Sequence, residues 1–505
     1  MMNDLSNSSA CTGAWSAAGM SRREVLSKMG MGLGGMALAD MMGGGGTKLA
    51  AAEASSMAAA RVGGLSHLPD FAPKAKRVIF LFMSGGPSQF ESFDYKPVLQ
   101  KNQGDEFPAS FRKGGKPLGM SGAQSKFTMV GSPFEFRQHG QSGAWISSLF
   151  PHTAKVADDL CFVKSMTSDA VNHDPALTFM QTGSQLPGRP SMGAWLNYGL
   201  GTDNADLPSF VVLISKRGVD QPLSYRLWDS GFLPSHHSGV HFRTGKDAVL
   251  FLSEPAGVSR ASTRRMLDAL KEMHTEKMRA MPDAGVNARI EQYEMAFRMQ
   301  ASVPEATDLS SEPEHIFKLY GDDAKKTGSF AANCIQARRL AERGVKFIQL
   351  YHPGWDHHGG LCEESAYPTS AREVDQPCAA LLTDLKNRDM LKDTLVIWGG
   401  EFGRTSYSQG NFSKKETGTP AYGRDHHRDC FTFWMAGGGI KGGLTYGESD
   451  ELGYNVGRDA VTVNDFHATV LHLLGINHER FTYRFQGRDF RLTDVAGNVV
   501  KAIMA

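Results

Sequence analysis

The chain carries almost no net charge: 54 lysines and arginines stand against 53 aspartates and glutamates over 505 residues. No global field therefore draws it to nucleic acid or to an anionic membrane surface. Cysteine is scarce as well. The six, Cys11, Cys161, Cys334, Cys362, Cys378 and Cys430, include no CxxC pair, which excludes a zinc ribbon or a thioredoxin-like motif. They are too few for a disulfide framework, although a Cys362–Cys378 bridge stays open. No internal repeat or coiled-coil period appears. What is present, 41% apolar and 21% charged residues, is ordinary globular composition, enough for one large α/β domain or two smaller ones.

The first sixty residues read as an export leader and linker. Ser21-Arg22-Arg23-Glu24-Val25-Leu26 is a twin-arginine box, followed by a weakly apolar run, Met29 to Met42, and small residues around Ala50–Ala54 that suit cleavage. Glycines and Asp40 make that run a poor membrane span. The expected location is periplasmic or extracellular, with no stable membrane insertion of the mature domain. This route carries folded proteins, often after a metal is loaded.

Residues 61–505 read as a single domain with an excursion over 101–142, rich in Gly, Lys and Gln. Lys76–Met83, Leu160–Val163, Pro208–Ile214, Val345–Leu350, Thr394–Trp398 and Cys430–Met435 are short, continuously apolar runs, the pattern of strands buried on both faces. Ser329–Arg343, capped by Gly344, and Asp375–Asn387 pattern as helices between them, and 463–475 as a capped helix near the end. Ser259 to Gln300 reads as a long charged helical region whose Leu267, Leu270, Met273, Met278 and Met281 form a core-facing stripe. The alternation predicts an α/β fold with a doubly wound, mostly parallel sheet and helices on both faces.

In such sheets ligands bind where strands end at their carboxyl edge. Four strand exits carry chemistry. The first holds Ser84-Gly85-Gly86-Pro87-Ser88, a tight turn. A second, after Leu350, holds Tyr351 to His358, with Asp356, His357 and His358. The third turns at Gly399-Gly400 into Glu401 and Arg404. After a polar loop, Arg424-Asp425-His426-His427 precedes the last apolar run, and His173-Asp174-Pro175 opens a helix-compatible segment. Carboxylates and imidazoles without cysteine suit zinc, manganese, iron or calcium in different degrees. The expected metal ligands are Asp356, His358, Glu401, Asp425, His426 and His427, with His357 an alternative to His358 and Asp425 alternatively an orienter of a histidine. His173 is a ligand, a general acid or base, or a nucleophile, and Arg404 or Arg424 could hold a phosphate or sulfate. Ser88, Asp174 and Arg424 are the substrate-contacting candidates. Trp355 and Phe402 are expected as cleft walls, His352 and His472 as structural. His236, His237 and His241 form a loop cluster suited to a surface or a substrate cleft more than to a metal.

The order of these motifs resembles the alkaline phosphatase and sulfatase superfamily over most of residues 76 to 490. Within it, MSGGPSQFESFDYKP, WDHH, GEFGRT and GRDHH resemble the exported family called domain of unknown function 1501. The resemblance implies a divalent-metal site and hydrolysis or transfer of a phosphate or sulfate ester, with a small-molecule or glycan ester as substrate. The sequence departs from the superfamily in two places. Ser84-Gly85 stands where a metal-binding Asp follows the first strand, and His173 and Leu177 fall where a sulfatase has its nucleophile and arginine. The alternative is therefore a catalytically inactive relative that binds an anionic glycan or protein partner in the same cleft.

Overall fold

A computed structural model describes residues 63–505 apart from 113–118, 216–222, 244–247, 250–251, 256, 281–283 and 415–419. The expected leader, residues 1–60, lies outside the described residues. Arg77–Met83 (β1) is the strand around which the sheet is built, with six of its seven residues buried. Its side chains alternate between two cores. Ile79, Leu81 and Met83 meet one apolar cluster, whereas Val78, Phe80 and Phe82 meet the other. A strand covered on both faces cannot show an apolar–polar alternation, which is why it reads as a continuous apolar run.

The other strands of this sheet are Leu160–Thr167 (β2), Phe210–Ile214 (β3), Val240–Phe242 (β4), Phe347–His352 (β5) and Thr394–Gly399 (β6). A hairpin, Gly403–Lys414 (β7) with Pro420–His427 (β8), stands apart from the sheet, which resumes with Phe431–Ala436 (β9), Leu444–Tyr446 (β10) and Val461–Thr462 (β11). The spatial order is β10-β2-β9-β6-β1-β5-β3-β4, with β11 also paired to β2. β1 runs parallel to β5 and β6, β3 parallel to β5 and β4, and only β9 is antiparallel to its neighbours. The carboxyl ends of β1, β2, β5 and β6 therefore share one edge.

Helices cover both faces. His173–Thr182 (α1), Met192–Leu200 (α2) and Val463–Leu473 (α7) pack on the face of Val78 and Phe80. Phe330–Glu342 (α5) and Tyr367–Asn387 (α6) pack on the face of Ile79 and Leu81. Their ends follow from local chemistry. Ser329 caps α5 by accepting from Ala332 N at 3.0 Å, and Thr462 and Asp465 form a reciprocal capping box at the start of α7. Gly183 ends α1 at φ +70°, where a Cβ would lie 2.0 Å from the Leu492 carbonyl oxygen.

Three expectations are corrected. The region 259–300 is two helices, Arg260–Ala280 (α3) and Ala284–Thr307 (α4); Leu267 is buried, but Met273 of the expected stripe is 70% exposed, and Met278 and Met281 have no described side-chain environment. The 101–142 excursion is not devoid of core. Phe107, Phe127 and Met129 form an apolar cluster with Tyr407 and Tyr454, which anchors the segment against the hairpin. Cys362 and Cys378 are buried free thiols, not a bridge. No helix among the described residues is long and apolar enough to cross a membrane.

Candidate metal centre

Three segments deliver four side chains to the carboxyl edge. Asp356 and His358 follow β5, His173 opens α1 after β2, and His426 stands near the end of β8. Their ligand atoms all lie within 4.8 Å of one another. Close backbone approach makes this convergence possible. Gly85, at φ +120° in the turn after β1, would place a Cβ 2.7 Å from the Asp356 amide nitrogen. At Gly423 of β8 a Cβ would lie 2.0 Å from the carbonyl carbon of His358. Glycine is the residue that permits both contacts.

The orientation of the imidazoles carries the chemistry. His173 directs Nδ1 to Glu401 Oε1 at 2.6 Å, His426 directs Nδ1 to the Val171 carbonyl at 2.9 Å, and His358 directs Nδ1 to Gln409 Oε1. All three acceptors lie on the Nδ1 side, so Nδ1 is the natural place for the proton in each neutral ring. Each Nε2 then faces Asp356: His173 at 3.1 Å from Oδ2, and His358 and His426 at 2.8 and 3.2 Å from Oδ1. A lone pair opposite a carboxylate is repulsive, and here the arrangement occurs three times around one carboxylate. It becomes favourable only when a cation sits among the four groups. His173 Nε2 is also buried and lacks hydrogen-bond geometry to any partner, despite its short distance to Asp356. Three imidazole nitrogens and one carboxylate oxygen are a donor set suited to zinc or another borderline divalent ion.

Protons substitute for that cation when no metal is bound. Burial works to lower the His173 pKa, but the adjacent carboxylates of Asp356 and Glu401 outweigh it and push it up to about 9. His426 moves the other way, down to about 4, because burial and the nearby charges of Arg404 and His173 exceed the pull of Asp356. Asp356 is opposed by its own burial, yet its bonds with the three histidines and the charge of Arg404 hold it far below the usual carboxylate range.

The remaining expected site residues are placed around this cluster. Glu401 is fully buried, and besides His173 it accepts from Gly85 N at 2.9 and 3.2 Å, so it stands behind His173 and ties the β6 exit to the β1 turn. Arg404 donates to Asp356 Oδ1 at 2.6 Å, to the carbonyls of Gly86 at 2.7 Å and Arg424 at 3.1 Å, and to that of Gly85. Its guanidinium holds Asp356 in place. Arg424, fully buried, donates to Glu91 at 2.8 Å, and Ser88 also bonds Glu91, so neither faces the cluster. Asp425 accepts from Ser121 N at 2.6 Å and from His426 N at 2.8 Å. His427 meets the Tyr454 carbonyl through Nε2 and lies tilted 4.2 Å from its ring, away from the cluster. Asp174 pairs with Arg226 on the outer side of α1 and is 56% exposed. His357 turns to Ser370 at 3.4 Å. Phe402 does wall the cluster, 4.9 Å from His173 and 4.5 Å from His426, whereas Trp355 is buried against Tyr367 and Trp398. Gln409 and Val171 had no sequence signal, because an amide and a carbonyl become orienting groups only through the fold.

The chain matches, over residues 75–504, the family described as Protein of unknown function (DUF1501), and it belongs to that family. No curated protein matches it. Among solved structures, it is similar to the PsFucS1 sulfatase from Pseudoalteromonas sp., at 14% identity and a TM-score of 0.30, covering 88% of this chain and 76% of that one. A protein in the alkaline phosphatase superfamily from Vibrio parahaemolyticus is similar at 10% identity and a TM-score of 0.31, covering 80% and 68%. The zinc complex of the C-terminal periplasmic domain of EcEptC from Escherichia coli is similar at 9% identity and a TM-score of 0.33, covering 82% and 85%.

Proposed function

We propose that the protein is an exported, metal-dependent hydrolase of phosphate or sulfate esters, with His173, Asp356, His358 and His426 holding one divalent ion. The observation that carries this reading is the three Nε2 atoms turned onto one carboxylate, each backed at Nδ1 by its own acceptor. A bound ion would supply Lewis-acid polarisation of an ester oxygen. Glu401, Gln409 and Val171 keep the ring orientations fixed, and Arg404 keeps Asp356 from rotating. His173 stands where the superfamily resemblance places a nucleophile, and its Nδ1 proton is committed to Glu401. Hydrolysis would therefore proceed by direct attack of water on phosphorus or sulfur, with the ester oxygen leaving as the alcohol. The twin-arginine box at residues 21–26 supports export.

A second reading has its own support. Arg404 and Arg424 are both held in internal bonds, so neither is available to grip an anionic ester. That favours a non-catalytic relative which uses the same cleft to bind an anionic glycan or a protein. The test is elemental analysis of protein purified without chelator, followed by turnover of p-nitrophenyl phosphate and sulfate by the wild type and by Asp356→Asn. Near-stoichiometric metal, and turnover that the substitution abolishes, are expected. Metal without turnover selects the second reading, and failure to bind zinc, manganese, iron or calcium after reconstitution overturns both the metal site and the hydrolase.

A further inference from the structure

His426 reaches the cluster from a strand whose own ladder does not hold it in place. β8 pairs with β7 at Arg424↔Ser408 and next at His426↔Arg404, so two steps along β8 face four along β7. The ladder is broken immediately before the imidazole. Bulges of this kind bend a strand and re-aim its side chains, and the depth of His426 must then be set from outside the hairpin. Residues 128–130 of the excursion supply part of that support. They run beside the irregular stretch, Val130 N donating to the Ser406 carbonyl at 3.2 Å and Ser408 N to the Thr128 carbonyl at 2.8 Å.

Arg424 supplies the rest. Its fully buried side chain donates in three directions. It meets Glu91 Oε1 at 2.8 Å, on the helical turn Gln89–Ser92 that follows β1, and the Thr405 carbonyl at 2.9 Å, inside the irregular stretch of β7. The third partner is the Val130 carbonyl of the excursion, at 3.0 Å. Its main chain bonds groups beside the cluster. Arg424 N donates at 3.4 Å to the carbonyl of His357, between Asp356 and His358, and Arg424 O accepts at 3.1 Å from Arg404, the guanidinium that holds Asp356. One residue, two positions before His426, thus joins three outer supports to the segment that carries Asp356 and His358. A planar fork of N–H groups meets all three supports at once, and an ammonium on a flexible stem does not reproduce that geometry.

We propose that Arg424, held by Glu91, is a positioning residue of the metal centre, fixing β8 so that His426 Nε2 meets the ion, with the excursion as its brace. This inference rests on the metal site proposed above. The test is competitive zinc titration and the visible spectrum of the cobalt(II)-loaded full chain, with a urea midpoint for each variant. Arg424→Lys, which keeps the charge and loses the fork, should weaken zinc binding about 10–100-fold and shift the cobalt(II) spectrum. Glu91→Asp, the milder change, draws the carboxylate back by one methylene and should weaken zinc binding about tenfold; it decides alone where Arg424→Lys does not fold. Glu312→Gln is the control. It takes the carboxylate from a buried arginine far from the cluster, and should lower the urea midpoint while leaving zinc affinity and the spectrum at wild-type values. Zinc affinity within twofold of the wild type in the folded Arg424 and Glu91 variants, or an equal loss in Glu312→Gln, overturns the positioning role. A wild type that takes up neither zinc nor cobalt overturns the metal site itself, and this inference with it.

Discussion

Replacing Glu401 by glutamine removes a charge but almost no volume from a position with no solvent exposure. The carboxylate accepts from two donors at once, His173 Nδ1 at 2.6 Å and Gly85 N at 2.9 Å. An amide has one acceptor oxygen and one donor nitrogen, so it can satisfy one of the two and must present N–H to the other. If the oxygen stays on Gly85, the His173 proton is driven to Nε2, where it occupies the lone pair that faces Asp356. Substitutions of such orienting groups typically cost about 10–100-fold in metal affinity, or about 1.4–2.7 kcal/mol. The assay is competitive zinc titration of Glu401→Gln against the wild type, with the urea midpoint measured in parallel to separate site effects from folding. An affinity within twofold of the wild type would refute the orienting role. A loss beyond about 1,000-fold with the fold intact is more than an orienting group supplies, and would make Glu401 a ligand itself.

Metal uptake should release protons. His173, pushed up to about 9, carries a proton at pH 7 in the metal-free protein, and an imidazole must be neutral to ligate. About one proton per ion is expected at pH 7, with apparent affinity falling as pH is lowered below that pKa; calorimetry in two buffers of different ionisation enthalpy counts it, and zero release contradicts the assignment. Gly423→Ala should crowd the His358 carbonyl, where a Cβ would lie at 2.0 Å, and cost about 1–3 kcal/mol in stability together with metal affinity; an unchanged urea midpoint rules this out. Far from the site, Glu312 joins Arg338 at 2.5 Å and Arg339 at 2.6 Å. Burial raises its pKa, but the two guanidinium groups outweigh burial and lower it. Its stabilisation is therefore complete above the unfolded-state value near 4.3 and is lost as pH falls through the lower folded value. Glu312→Gln should cost about 3 kcal/mol at pH 7, because buried Arg339 loses its carboxylate, whereas Arg338 keeps Glu342 at 2.8 Å and Asp384 at 3.0 Å, and chemical denaturation measures it.

The sheet was legible because burial on both faces turns each central strand into an apolar run, as in Val78–Met83 and Leu395–Trp398. The two arginines were not. The carboxylate that holds Arg424 is Glu91, 333 positions away, and no local pattern distinguishes a guanidinium locked in such a pair from one waiting for a substrate. The hairpin was the other obscure element. Its residues from Gly403 to His427 lack apolar alternation, so they read as a polar loop, and a loop gives no reason to prefer any of Asp425, His426 and His427. A strand does, because neighbours point to opposite faces. His426 faces the cluster, while Asp425 and His427 both turn toward the 119–123 segment and Tyr454. After β5, too, Asp356 and His358 meet at the cluster while His357 turns to Ser370. Had residues 420–427 been recognised as a strand, alternation alone would have reduced three adjacent candidates to a choice between one imidazole and the pair that flanks it. The Asp-x-His spacing after β5, which supplies a carboxylate and an imidazole already, then needs only the single imidazole to complete a compact N/O site with His173.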